Sequence, residues 1–230
     1  MNRDEHRLRV AGLSPGSFRF DGRTAVHPSE PGGGTWIALN DAGVTFALIN
    51  WYSIRRLVKD GPVSRGEVVR RTRHAASPRE AQSLLNKLPI ERFNPFRLIG
   101  VFPQERSIYE WRWDQEKLRE LTRAWKHGIW ISSGFDEPGA ERTRSATWER
   151  AQRQGTAGSL DWVRRLHRSH KPDCGPYSIC MHRDDAVTVS YTEVVVNHRA
   201  ATLRHVSGAP CENAPASEHQ LALQPAFRER

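Results

Sequence analysis

The sequence predicts an α+β fold built on antiparallel sheet, and three observations carry that prediction. Apolar segments arrive in blocks, strands then helices then strands again, where a doubly wound parallel sheet would alternate single strands with single helices. The connection Asn40-Asp41-Ala42-Gly43 joins two strand-like runs, Thr35 to Leu39 and Val44 to Asn50, as a hairpin. At 230 residues, 37% of them apolar and 27% charged, the chain can bury one sizeable core without disulfide staples.

Each element follows in order. Pro31-Gly32-Gly33-Gly34 punctuates the chain ahead of the hairpin. Ser64-x-x-Glu67 and Ser77-Pro78-Arg79-Glu80 both have capping-box spacing, the second with Pro at the first helical position. Helices are expected over about 65–74 and 78–88. Phe96 to Phe102 and Ser107 to Trp113 return as strands around Pro103-Gln104-Glu105-Arg106, followed by a short apolar run at Gly128 to Ile131. Residues 141–154 and 159–171 are helical by pattern; in the second, Leu160, Val163 and Leu166 form one stripe while Arg164, Arg165, Arg168 and Lys171 take the other side. Tyr177 to His182, Ala186 to Thr192, Val194 to Asn197 and Thr202 to Val206 are β-rich, with Arg183-Asp184-Asp185 as a turn. Residues 1–206 therefore read as a single domain, and residues 207–230, rich in Ala, Pro, Ser, Glu and Gln, as a mobile tail.

Charge and composition narrow the function classes. Thirty-five Lys and Arg against twenty-six Asp and Glu leave +9, a field that favours anionic partners. The longest apolar run, Val44 to Trp51, is far short of the roughly 18 residues a membrane span needs, so no transmembrane segment is expected. The charged first residues lack a signal-peptide core, and the three cysteines, Cys174, Cys180 and Cys211, have no CxxC spacing. A cytoplasmic protein with free thiols is the expectation. The eight tryptophans scatter through separate elements without forming a stacking platform, so nucleic acid is not favoured. No GxGxxG or GxxxxGK[ST] loop occurs, and no cofactor is expected.

Four ordered motifs resemble one family. Asn2-Arg3-Asp4-Glu5, Gly33-Gly34-Thr35-Trp36, Ala47-Leu48-Ile49-Asn50-Trp51 and Ser64-Arg65-Gly66-Glu67, continued by Phe93-Asn94-Pro95-Phe96 and Trp130-Ile131-Ser132-Ser133-Gly134, resemble the NRDE family, also called the transport and Golgi organization protein 2 family. That family is similar to the N-terminal-nucleophile (Ntn) hydrolases, so the resemblance implies an Ntn-hydrolase-like αββα sandwich of mostly antiparallel sheets. It also implies a Cys directly after the initiator Met, where this chain has Asn2. Two expectations follow: an upstream start that restores the nucleophile, or a member without it.

An N-terminal nucleophile uses its own α-amine as base, which calls for a carboxylate to orient the amine and a cation to favour the thiolate. The resemblance gives these roles to Asp4 and Arg3. It gives Asn50 the place of an oxyanion donor, and puts Ser133, whose hydroxyl can also donate, where the family often has Asn. Asn2, Glu5, Trp36 and Trp51 are the expected ligand-binding positions. The implied ligand is a small acyl amide or thioester; the alternative is a non-catalytic carrier of haem or acyl-CoA, whose propionates or phosphates suit a basic protein.

Plainer readings stand beside these. Arg3, Asp4 and Glu5 also read as a solvated charge cluster, Gly33 to Trp36 as a tight turn entering a strand, Asn50 as a strand-end residue, and Ser64 with Glu67 as helix caps. His167, His170, Cys174, Cys180 and His182 crowd together, but the cysteines are six apart without zinc-ribbon spacing, so no metal site is expected.

Overall fold

The computed structural model describes residues 1–224. In chain order its strands are β1 (Asn2–His6), β2 (Leu13–Phe20), β3 (Arg23–Ser29), β4 (Ile37–Asn40), β5 (Thr45–Asn50), β6 (Phe96–Phe102), β7 (Ser107–Trp113), β8 (Leu118–Arg123), β9 (Ala186–Val196), β10 (Ala200–Ser207) and β11 (Ala216–Ala222). The helices are α1 (Gly66–Thr72), α2 (Pro78–Leu85), α3 (Glu137–Gln152) and α4 (Leu160–His167). The strands form two antiparallel sheets, one of seven in the order β2 to β8 and one of four in the order β1-β9-β10-β11, so the α+β prediction holds. The chain divides into two compact units: the first is Met1–Ala11, Lys126–Glu193 and His205–Ser217, the second Gly12–Trp125, Val194–Arg204 and Glu218–Arg230. No helix among the described residues is long and apolar enough to cross a membrane.

In the second unit the seven-stranded sheet is a meander in which the pleat sends successive side chains to opposite faces. Ala38 joins Phe46, Leu48, Phe96, Leu98, Phe102, Trp111 and Trp113 against α1 and α2, whereas its neighbour Leu39 packs with Val26, Ala201 and Leu203. Helices therefore cover one face, and Val194, Ala201, Leu203 and Leu221, from the segments of β9, β10 and β11 that belong to this unit, pack against the other. Trp111 is fully buried and donates its indole N–H to Gln82 Oε1 at 2.7 Å, fastening α2 to β7. The β4–β5 connection is held by Asn40, also buried, which donates to the Arg73 and Ala75 carbonyls and accepts from the Ala42 and Val44 N–H groups.

The segments Gly33-Gly34-Thr35-Trp36 and Ser64-Arg65-Gly66-Glu67 meet in this unit. Thr35 N–H donates to the Gly66 carbonyl at 3.2 Å, and a Cβ on Gly66 would lie 2.8 Å from Thr35 N and 3.0 Å from Gly34 Cα. Glycine is required at position 66 because two backbones touch there, and a Cβ on Gly34, 3.3 Å from Gly66 Cα, would be tight.

In the first unit Asp136 caps α3 by accepting from Gly139 N–H at 3.1 Å, and Ser159 caps α4 by accepting from Trp162 N–H at 3.2 Å. Arg164 leaves the solvated side expected of it and pairs with buried Glu193 on β9, at 2.9 and 2.8 Å.

Several boundaries move. The Ser77 cap forms, accepting from Glu80 N–H at 3.2 Å, but the Ser64 box does not: Glu67 turns to Arg70 and Arg71 instead. α4 ends at His167, and Gly128 to Ile131 and Tyr177 to His182 are not strands. β1, β2, β3 and β8 were hidden by their polar composition, although Asp21-Gly22, with φ of 47° and 76°, is a primed-turn signal for the β2–β3 hairpin. The region expected to be a tail contains β11, because Leu221 and Leu223 pack against the Val26, Leu39, Ala201 and Leu203 cluster; residues 225–230 lie outside the described residues.

Candidate functional site

Strand β9 alternates Val187, Val189 and Tyr191 with Thr188, Ser190 and Thr192. A half-buried strand ordinarily turns its valines inward. Here all three hydroxyl residues are buried, Thr188 and Thr192 at 1% exposure and Ser190 at 5%, while of the opposing row Tyr191 is 2% exposed and Val187 and Val189 are only partly covered. Burying such a row is costly unless each hydroxyl finds a partner. Thr188 donates to Asp4 Oδ1 at 2.7 Å and accepts from Met181 N–H at 2.8 Å, and Thr192 Oγ1 meets His205 Nδ1 at 2.8 Å. Ser190 Oγ has no hydrogen-bond partner among the described residues.

Strand β1 brings two of the sequence-selected residues to this row. A register shift between Arg3 and Asp4, which leaves Val189 of β9 without a partner on β1, sets Arg3 opposite Ser190 and Asp4 opposite Thr188. Asp4 Oδ2 accepts from Arg144 Nη2 at 3.4 Å. Arg144, buried on α3, makes only long bonds, to the Ser132 and Pro176 carbonyls at 3.3 and 3.4 Å, and its Nε has no partner among the described residues. Burial, then the charge of Arg3, lowers the His205 pKa to about 4, so His205 is neutral at pH 7. Buried guanidinium groups, hydroxyls and a neutral imidazole are thus gathered around β9, and each can donate or accept a hydrogen bond.

The other selected residues lie as follows. Asn2 donates both amide hydrogens, to the His167 and Ile179 carbonyls, so its N–H groups are already committed to the fold. Glu5 pairs with Arg3 at 3.3 Å and Arg9 at 3.0 Å. Ser133 Oγ accepts from Phe135 N–H at 3.3 Å, and Ser132 next to it receives Arg144. Trp36, Asn50 and Trp51 belong to the second unit. Trp36 is buried, Asn50 donates to Tyr52 Oη at 2.8 Å, and Trp51 lies under the Arg112 guanidinium, 5.7 Å from its ring centre. Thr188, Ser190, Thr192, His205 and Arg144 escaped the sequence reading, since alternation alone assigns the hydroxyls to solvent.

A separate group could hold a metal. His170, Cys180, His182 and Cys211 place their donor atoms within 4.8 Å of one another. Of the residues that crowd in sequence, the structure keeps three and sets aside His167, which is bonded to Asn2, and the exposed Cys174. Cys211 arrives from far along the chain, so spacing could not include it.

No protein-family model matches the chain, and no curated protein matches it. Among solved structures it is similar to penicillin V acylase from Agrobacterium tumefaciens, with 13% identity and a TM-score of 0.45 over 89% of this chain and 78% of that one.

Proposed function

We propose that this chain is an NRDE-type protein of Ntn-hydrolase-like build that binds a small acyl amide or thioester, with the polar head of the ligand on the hydroxyl row of β9. The burial of Thr188, Ser190 and Thr192, with Asp4 bonded to Thr188 and Arg144 and Arg3 opposite Ser190, is the observation that supports this. Ser190 Oγ and Arg144 Nε have hydrogen-bonding capacity that the fold leaves unused, and a carbonyl or carboxylate oxygen would meet it. Arg3 supplies charge to the same row, and Asp4 acts as a positioning residue by holding Thr188 and Arg144. The net charge of +9 adds long-range attraction for an anionic ligand such as acyl-CoA. Free cysteines accord with a cytoplasmic setting.

Titration calorimetry of the purified chain with a short-chain acyl-CoA tests this. Saturable binding is expected, weakened about 10-fold, or ~1.4 kcal/mol, by Ser190→Ala. The same variant should be no less stable than the wild type, because it removes a buried hydroxyl that lacks a partner among the described residues. An absence of heat up to millimolar ligand would refute the proposal. Saturable haem binding without acyl-CoA binding would replace it with the carrier alternative.

A further inference from the structure

His170 follows the end of α4, Cys180 and His182 lie in the segment before β9, and Cys211 sits in the 3-10 turn Pro210–Glu212 after β10, all within the first unit. We infer that these four side chains form a tetrahedral Zn²⁺ site of two thiolates and two imidazoles, which ties the segment between α4 and β9 to the 3-10 turn.

The donor spacing carries this inference. With Zn–S of about 2.3 Å and Zn–N of about 2.05 Å, a tetrahedron has edges of roughly 3.8 Å between sulfurs, 3.6 Å between sulfur and nitrogen and 3.3 Å between nitrogens. The structure has 3.5 Å between Cys180 Sγ and Cys211 Sγ. His182 Nε2 lies 3.6 Å from Cys180 Sγ, 3.5 Å from Cys211 Sγ and 3.2 Å from His170 Nε2. These four edges thus fall within about 0.3 Å of the tetrahedral values, and the remaining two, from His170 to the sulfurs, are no longer than 4.8 Å.

Hydrogen bonding does not account for the same arrangement. An imidazole Nε2 has one in-plane position, holding either a proton or a lone pair. His182 Nε2 has three donor-atom neighbours at 3.2 to 3.6 Å, so at most one of them can be its hydrogen-bond partner. A cation at the common centre engages all four atoms at once.

Chemistry and surroundings agree with zinc. Two thiolates neutralise a divalent ion, so a partly buried site needs no further counter-charge. A donor set of two sulfurs and two nitrogens in tetrahedral array selects a borderline-soft ion over Mg²⁺ or Ca²⁺. The backbone that carries the donors is fixed independently: Cys180 N–H donates to the Ser169 carbonyl at 3.0 Å and His182 N–H to the Gly175 carbonyl at 3.2 Å. Ser178 Oγ bonds the Gly175 and Cys180 carbonyls at 2.9 and 2.6 Å. Four protein ligands complete the coordination shell and leave no open position, which makes the role structural.

The full chain, purified under reducing conditions and stripped with a chelator, should be titrated with Co²⁺ and then Zn²⁺ while elemental content and the visible spectrum are followed. One metal per chain is expected, with intense tetrahedral cobalt bands, a thiolate charge-transfer band, and zinc displacing cobalt. Cys211→Ser should weaken binding about 100-fold and reduce the charge-transfer intensity; Cys174→Ser, on an exposed thiol outside the cluster, should change neither. His170→Ala provides a second ligand variant should Cys211→Ser fail to fold, with the same loss expected. Less than stoichiometric zinc uptake by the reduced chain, an octahedral cobalt spectrum, iron as the resident metal, or equal weakening by Cys174→Ser would overturn the inference.

Discussion

Glu110→Gln is the sharpest probe of what holds the seven-stranded sheet. Glu110 on β7 has no exposed surface and lies on the face of the sheet opposite Trp111. Arg97 donates to it at 2.6 Å, Arg112 at 2.8 Å and Arg123 at 2.5 Å. Burial raises its pKa, but the hydrogen bonds from Arg112, Arg97 and Arg123 outweigh that and bring it down from 4.5 to about 2. At ~1.4 kcal/mol per pH unit this corresponds to about 3 kcal/mol. Arg97, Arg112 and Arg123 are 13%, 28% and 40% exposed, so solvent screening reduces the expected figure to about 2 kcal/mol. Because the folded pKa is depressed, this stability is fully present above about pH 4.5 and is lost as pH falls towards 2. Urea unfolding followed by tryptophan fluorescence should show the variant unfolding at about 1 M less urea at pH 7. That gap should narrow between pH 4.5 and 2. A variant within 0.5 kcal/mol (about) of wild type at pH 7, or a gap independent of pH, would refute the reasoning.

Gly66→Ala should cost about 1–3 kcal/mol in the same assay, because its Cβ would meet backbone at 2.8 Å where neither segment can yield cheaply; a neutral result would mean the two segments can part. His27, like His205, has a pKa lowered to about 4, chiefly by burial, with Arg73, His74 and Arg70 also lowering it against the Pro28 carbonyl bond that raises it. Both imidazoles stay neutral when folded, so stability should fall as pH drops from 6.5 towards 4, and His27→Asn should flatten part of that slope in pH-dependent unfolding. Asn40→Ala should cost about 2–4 kcal/mol, since four backbone groups of the β4–β5 turn and the α1–α2 connection lose their partner; thermal unfolding checks it.

Much of the second unit was legible because its signals are local. Phe96–Phe102 and Ser107–Trp113 are strands on either side of Pro103-Gln104-Glu105-Arg106, as the sequence predicts, and Ser77-Pro78 starts α2 where the cap predicts. β1 and β2 were not legible, since Asn2–His6 is wholly polar and Leu13–Phe20 lies exposed over most of its length. Arg3 and Asp4 were singled out by resemblance to a motif, and what they touch could not be read from it.

Turns, caps and periodicity depend on neighbours a few residues apart, so the sequence by itself determined the α+β class, the central hairpin, α2 and the two aromatic strands. Asp4 meets Thr188 across 184 positions, and Cys211 meets His182 across 29. Which hydroxyls of β9 are buried, which of them Arg3 and Asp4 meet, and which two cysteines come together depend on where the chain returns. Only tertiary packing decided them, because burial, and not the pattern of residues along a strand, selects the side of a sheet that turns inward.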